Sequence, residues 1–204
     1  MVNTARMIDV KGVNVFPEAL GAEEQSALVA ELRAVAQVAP LFAPETRFGK
    51  KMSVRMTSAG SCGWVSDRRG YRYEPKHPGG TDWPGIPEAL LDIWRAVVPE
   101  ARPPDTALIN FYGDGAKMGM HQDRDESDFT QPVVSISLGD EALFRVGGTE
   151  RGGKTESCWL RSGDVVVIGG DARLAYHGID RVKHGSSMLL PQGGRINVTM
   201  RVVT

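Results

Sequence analysis

Hydrophobic and polar positions divide the chain into two regimes. Over residues 17–39 apolar side chains recur at helical spacing, with Leu28, Leu32 and Val35 along one side. Pro17 and the Glu23-Glu24 pair sit near the start of this helix, and Pro40 stops it. A second helix is predicted over 87–98, with Leu90, Ile93, Trp94 and Val97 on one side and Pro99 at its end. Residues 44–85 between them hold many Gly, Pro, Ser and Arg and show no helical period. After Pro104 the pattern changes to short apolar runs punctuated by Gly and Asp, at 106–112, 132–138, 142–146, 157–160, 164–168, 173–176, 188–190 and 195–203. Short strands joined by turn residues predict an all-β sandwich or barrel, jelly roll included. The expected class is therefore α+β and mainly β: an N-terminal helical part over 1–43, an irregular insertion over 44–85 and a β core over 104–204.

Composition narrows this picture without redirecting it. A chain of 204 residues, 41% hydrophobic and 24% charged, suits one compact domain over 1–204 and excludes wholesale disorder. No apolar run approaches the roughly 18 residues of a membrane span, so no membrane partner is expected. The opening residues carry no apolar signal core, which points to a cytoplasmic protein. Cys62 and Cys158 are too few and too far apart for a disulfide framework or a zinc knuckle, and read as reduced thiols.

Charge is more informative locally than in sum. The formal net charge is −1, which excludes a broad polyanion coat. Residues 47–76 nevertheless hold eight basic side chains against Asp67 and Glu74, a local +6, leaving about −7 elsewhere. Trp64, Tyr71 and Tyr73 lie within the same stretch. Aromatics among cations suit single-stranded or flipped-base recognition, with a solvated basic loop as the plainer alternative.

Candidate chemistry begins with scarce histidines. In His121-Gln122-Asp123 an extended backbone puts imidazole and carboxylate on one face. With a later histidine, His177 first in line, the set would match the two-histidine, one-carboxylate triad of non-haem Fe(II) oxygenases. The last strand alternates strictly, Ile196, Val198 and Met200 against Arg195, Asn197, Thr199 and Arg201. Its two arginines stand roughly 20 Å apart along a strand. Allowing for side-chain reach, they would span a five-carbon dicarboxylate, and Arg suits carboxylates. Asn110 and Tyr112 share one face of another strand and could donate to the same acid.

This constellation resembles the AlkB family of Fe(II)/2-oxoglutarate-dependent dioxygenases, closest to its bacterial DNA-repair branch. The matching residues are Asn110-Phe111-Tyr112, His121-Gln122-Asp123-Arg124-Asp125-Glu126, Tyr176-His177-Gly178 and Arg195-x-Asn197-x-Thr199-x-Arg201, in order along the chain. The resemblance implies a double-stranded β-helix with N-terminal helices and a nucleotide-recognition lid over 44–85. It implies iron held by His121, Asp123 and His177, and 2-oxoglutarate held by Arg195 and Arg201 with Asn110, Tyr112 and Asn197 assisting. With O2, the cosubstrate would go to succinate and CO2 while an N-methyl group is hydroxylated and lost as formaldehyde. The implied substrates are 1-methyladenine and 3-methylcytosine in DNA, single-stranded by preference, with RNA a further candidate, acted on by a monomer. Trp64 would stack on the flipped base; Tyr71, Tyr73 and Arg151 would hold nucleotide or phosphate. Asp125 would face the target base, and its charge would favour cationic bases over neutral ones. Glu126 and Asp128 read as a solvated acidic turn, and Val182–Gly194 departs from the family pattern. The competing readings are an iron- and 2-oxoglutarate-dependent hydroxylase of a small molecule or protein, and a jelly-roll binding module without catalysis.

Overall fold

A computed structural model of the chain describes residues 2–204. A short hairpin, β1 (Ile8–Val10) and β2 (Val13–Phe16), precedes helix α1 (Ala22–Val38). Strands β3 (Val54–Gly60), β4 (Gly63–Asp67) and β5 (Gly70–Glu74) lead to helix α2 (Glu88–Val97). There follow β6 (Thr106–Tyr112), β7 (Met118–His121), β8 (Val133–Gly139), β9 (Glu141–Val146) and β10 (Glu156–Leu160). The chain closes with β11 (Val165–Ile168), β12 (His177–Lys183) and β13 (Arg195–Arg201). Seven strands pair in the order β1-β2-β11-β8-β13-β6-β3, four in the order β10-β9-β12-β7, and β4-β5 stand apart as a two-stranded ribbon.

The period-2 alternation of the large sheet decides where everything goes. Ile109, Val134, Ile136, Val165, Val198 and Met200 pack on one face against Leu28, Leu32, Leu90, Ile93 and Trp94 of the two helices. The opposite face turns Met56, Leu108, Tyr112, Val133, Val166 and Ile168 toward Phe144, Val146 and Ile179 of the small sheet. Two antiparallel sheets closed over an interior and backed by helices form the expected jelly roll. The polar residues of β13 share the inward face with Tyr112 and Leu108, so they line an interior and not the solvent. Among the described residues no helix is long and apolar enough to cross a membrane.

Four local expectations need correction. The N-terminal part is not wholly helical: β1–β2 adds an edge to the large sheet through β11, in strands too short to show a period. The 44–85 insertion is not wholly a lid, since β3 pairs with β6 over seven residues inside the large sheet. Residues 173–176 form a turn, not a strand: a short 3-10 turn at Gly170–Ala172 precedes them, and Arg173 is pinned inward by hydrogen bonds. Met188–Leu190 is a loop too. There the buried Asp140 carboxylate accepts from the backbone N–H groups of Gly185 (3.2 Å), Ser187 (3.1 Å) and Gly194 (2.8 Å), which organises 185–194 without a ladder.

Candidate active site

Strand register assembles the histidine pair. β12 begins at His177, opposite His121 at the end of β7. The two rings lie 4.6 Å apart. Gly178 permits this approach, because a Cβ there would meet Met118 O at 2.7 Å. Each ring is oriented by its own backbone: His121 Nδ1 lies 2.9 Å from Gly119 O and His177 Nδ1 lies 3.0 Å from Ala175 O. A carbonyl only accepts, so Nδ1 carries the proton and donates, and both Nε2 lone pairs face inward.

Asp123 completes the set. Its carboxylate oxygens lie 3.7 Å from His121 Nε2 and 3.7 Å from His177 Nε2. One ligand atom from each of the three residues falls within 4.8 Å of the others. Oδ1 accepts from Arg201 Nη2 at 2.9 Å, whereas the buried Oδ2 has no hydrogen-bond partner. Burial alone would raise the Asp123 carboxyl, but Arg201 and the two histidines hold it below the usual carboxylate range. Burial pushes the His177 imidazole down to about 4 against the pull of Asp123, so it stays neutral near pH 7. Two imidazole nitrogens, a carboxylate with a free oxygen and an open cavity beside them fit Fe(II) with exchangeable positions.

The second half of the site lies along β13 and β6. Their register sets Arg195 opposite Tyr112 and Asn197 opposite Asn110. Arg195 is 1% exposed and bonds Ser137 Oγ through Nη2 at 2.9 Å, while Nε and Nη1 have no partner. Asn110 Oδ1 is also buried without one. A buried guanidinium with two idle donors and no carboxylate beside it is costly unless an anion arrives. The distal carboxylate of 2-oxoglutarate fits that requirement. Asn197 donates to Ser135 Oγ at 2.6 Å and Ile136 O at 3.1 Å, and accepts from Thr199 at 3.1 Å, so its side chain is held in place. Arg201 is differently occupied. Beside its bond to Asp123, its Nε lies 3.3 Å from Glu126, so it carries the metal ligand as well as facing the cavity.

Glu126 is not the solvated residue the sequence led us to expect. It is buried and pairs with Arg173 Nη2 at 3.1 Å and accepts from Tyr73 Oη at 2.6 Å. Arg173, which no motif singled out, also donates to Asp123 O and Gln131 O, each at 2.7 Å. These partners stand 47 to 53 positions from Glu126, so no local pattern could reveal them. Asp128 does lie at the surface, 3.1 Å from Arg102.

The β4–β5 ribbon covers the mouth. Trp64 and Tyr71 stack at 5.4 Å with planes 27° apart, and Trp64 Nε1 donates to Asp125 Oδ2 at 3.0 Å. Tyr73 turns inward to Glu126 and not outward, while Arg151 joins Trp64, Tyr71 and Asp125 in lining a cavity of about 490 Å³ that reaches the histidines and Arg195. Part of the local basic charge is spent internally. Arg69 and Arg72 pair with Asp67 at 3.1 and 2.9 Å, and Lys76 lies 3.4 Å from Asp82.

Comparison with known proteins agrees with this geometry. The 2OG-Fe(II) oxygenase superfamily signature matches residues 12–201. The chain is 53% identical to an alpha-ketoglutarate-dependent dioxygenase AlkB homolog of Caulobacter vibrioides, over 94% of this chain and 88% of that one. It is 41% identical to the alpha-ketoglutarate-dependent dioxygenase AlkB of Escherichia coli K12, over 90% and 86%. The solved structure of OsALKBH1 superposes with a TM-score of 0.85 at 28% identity, covering 97% of this chain and all of that one. A histidine-aspartate-histidine cluster beside an unpaired buried arginine, in a chain with these relatives, makes the protein a member of the AlkB family of Fe(II)- and 2-oxoglutarate-dependent dioxygenases.

Proposed function

We propose that this dioxygenase is an oxidative demethylase that repairs N-alkylated bases, 1-methyladenine and 3-methylcytosine, in DNA, with RNA a further substrate. The observation that carries this reading is the Asp125 carboxylate beside the stacked Trp64–Tyr71 pair at the mouth of the metal cavity. Both lesions are cations at neutral pH, so a carboxylate selects them by charge while the rings supply stacking. Bound iron, with 2-oxoglutarate and O2, supplies the oxidation: 2-oxoglutarate leaves as succinate and CO2, and the N-methyl carbon as formaldehyde. The chain's own residues do the rest. Arg195 and Arg201 grip the cosubstrate, with Asn110, Tyr112 and Asn197 beside it. Arg201, Arg173 and Glu126 hold Asp123 in place. Trp64, Tyr71, Tyr73 and Arg151 belong to the nucleotide side.

The same reading takes the protein as a single dioxygenase unit over 1–204, a cytoplasmic monomer acting on bases presented in single strands. The test is formaldehyde release from a methylated single-stranded oligonucleotide and from free N-methylated metabolites. The reading expects turnover of the oligonucleotide. Turnover of the metabolites alone would move the assignment to a small-molecule hydroxylase.

A further inference from the structure

The segment His121-Gln122-Asp123 supplies two metal ligands, and the residue between them has a task of its own. The side-chain nitrogen of Gln122 donates to Leu174 O at 2.6 Å and to Thr149 O at 3.1 Å. Carbonyls only accept, so the amide nitrogen and not the amide oxygen must face them, and both of its N–H bonds are used. Neither near relative can do the same from this position. Glu would bring an acceptor-only carboxylate against two carbonyls, and Asn is one methylene shorter.

The two acceptors belong to different segments. Leu174 lies in the turn that leads into His177, a turn already tied to Asp123 O through Arg173 at 2.7 Å. Thr149 lies in the β9–β10 loop, residues 147–155, where Gly147, Gly148, Gly152 and Gly153 make the backbone costly to order. The loop is fixed where it leaves β9, by Gly147 N to Tyr176 O (2.7 Å) and Tyr176 N to Gly148 O (2.9 Å). Among the described residues, the bond from Gln122 is the last that holds the loop before β10 begins at Glu156. Arg151 stands two positions beyond that bond and lines the cavity. Its own side chain has no hydrogen bond or ion pair among the described residues. Two residues of chain reach at most about 7 Å, so a fixed Thr149 keeps Arg151 beside the cavity.

We infer that Gln122 is a positioning residue for nucleotide binding: its amide holds the β9–β10 loop so that Arg151 meets a phosphate of the substrate strand. The inference rests on the nucleic-acid reading above and deepens it, since it states what places Arg151. A cation on a free, glycine-rich loop loses much conformational freedom when it grips a phosphate. A loop ordered beforehand loses less, and the difference appears as affinity. Because Gln122 sits between His121 and Asp123, the loop is placed relative to the metal ligands and not merely to the barrel wall.

The test measures binding of a fluorescein-labelled single-stranded oligonucleotide with 3-methylcytosine to protein loaded with Mn(II) and 2-oxoglutarate. Steady-state repair by the iron-loaded enzyme is measured beside it. The proteins are wild type, Gln122→Glu, Gln122→Met, Arg151→Ala and the two double variants. Gln122→Met keeps the size of the side chain and removes the donors. Each single Gln122 variant should weaken oligonucleotide binding by about threefold to tenfold, the scale of a lost hydrogen bond. The loss should fall on KM and not on kcat, with Mn(II) affinity as in the wild type. In the Arg151→Ala background the same substitutions should change binding by less than about twofold, because no cation is left to position. Binding unaltered in both Gln122 variants overturns the inference, as does a Gln122 effect of equal size with and without Arg151, or a loss confined to kcat. Weakened Mn(II) affinity in both Gln122 variants assigns the residue to the metal site and overturns it too. A wild type that binds Mn(II) and 2-oxoglutarate but not the oligonucleotide overturns the nucleic-acid reading, and this inference with it.

Discussion

The barrel interior and the lid are built by different rules. In the interior, strand pairing positions each reacting group: His121 faces His177 across β7 and β12, and Arg195 faces Tyr112 across β13 and β6. The charged groups there are buried, and their partners come from strands far apart in sequence. In the lid, a two-stranded ribbon reaches the barrel through a few side-chain bonds: Trp64 donates to Asp125, and Tyr73 donates to Glu126 and accepts from Arg201. Isolated two-stranded ribbons are marginal in water, so the lid depends on those tethers together with Val65 packed against Ala39, Phe42 and Trp83 and the bonds between Ser66 and Glu45. The difference teaches that the chemistry is positioned by strand pairing and burial, while the surface that meets the substrate is positioned by a few side-chain contacts.

Glu126 is where the two regions join, and removing it should have the largest structural effect. Glu126→Ala leaves Arg173 and Arg201 buried beside one fewer carboxylate, which should cost about 3–5 kcal/mol of stability in a denaturant titration. A loss below about 1 kcal/mol would show that the lid and barrel are not coupled there. Arg195→Met comes next. It should raise the dissociation constant for 2-oxoglutarate by about 2–5 kcal/mol, thirtyfold or more, with iron affinity unchanged. Calorimetric titration of the iron-loaded protein checks both quantities.

Acidity probes the interior alone. The His177 imidazole is pushed from its ordinary 6.5 to about 4, so as pH falls through that window the unfolded chain takes up a proton that the folded metal-free protein refuses. Stability of the metal-free protein should therefore fall between pH 6.5 and 4, by roughly 3 kcal/mol at most. In His177→Asn that part of the pH profile should flatten. Asp125→Ala addresses the lid side and should have the smallest effect: about tenfold less preference for cationic over neutral lesions in competition repair assays, with the melting temperature retained. An unchanged preference would remove Asp125 from base selection.

The same division explains what the sequence revealed. The strict alternation of β13 identified a polar face with two arginines, and the structure turns that face inward because the apolar face is needed to seat α1 and α2. His121 and Asp123 were legible because their relation is local. His177 was found, although the strand was assigned before it instead of from it, because the apolar run 173–176 imitates a strand while Gly170 and the pinned Arg173 enforce a turn. Glu126 and Arg173 stayed hidden because their meaning lies wholly in contacts across the fold. The lid was legible as composition, basic and aromatic. That Arg69 and Arg72 spend themselves on Asp67, whereas Arg47 and Lys50 do not, depends on hairpin geometry that composition does not carry.

The most direct test of the central claim is anaerobic addition of Fe(II) and then 2-oxoglutarate, followed in the visible spectrum. The triad of His121, Asp123 and His177 with Arg195 predicts a weak charge-transfer band in the wild type. That band should be lost in His121→Ala and should need far more 2-oxoglutarate in Arg195→Met. A wild type without the band, or a band that survives in His121→Ala, would contradict the account.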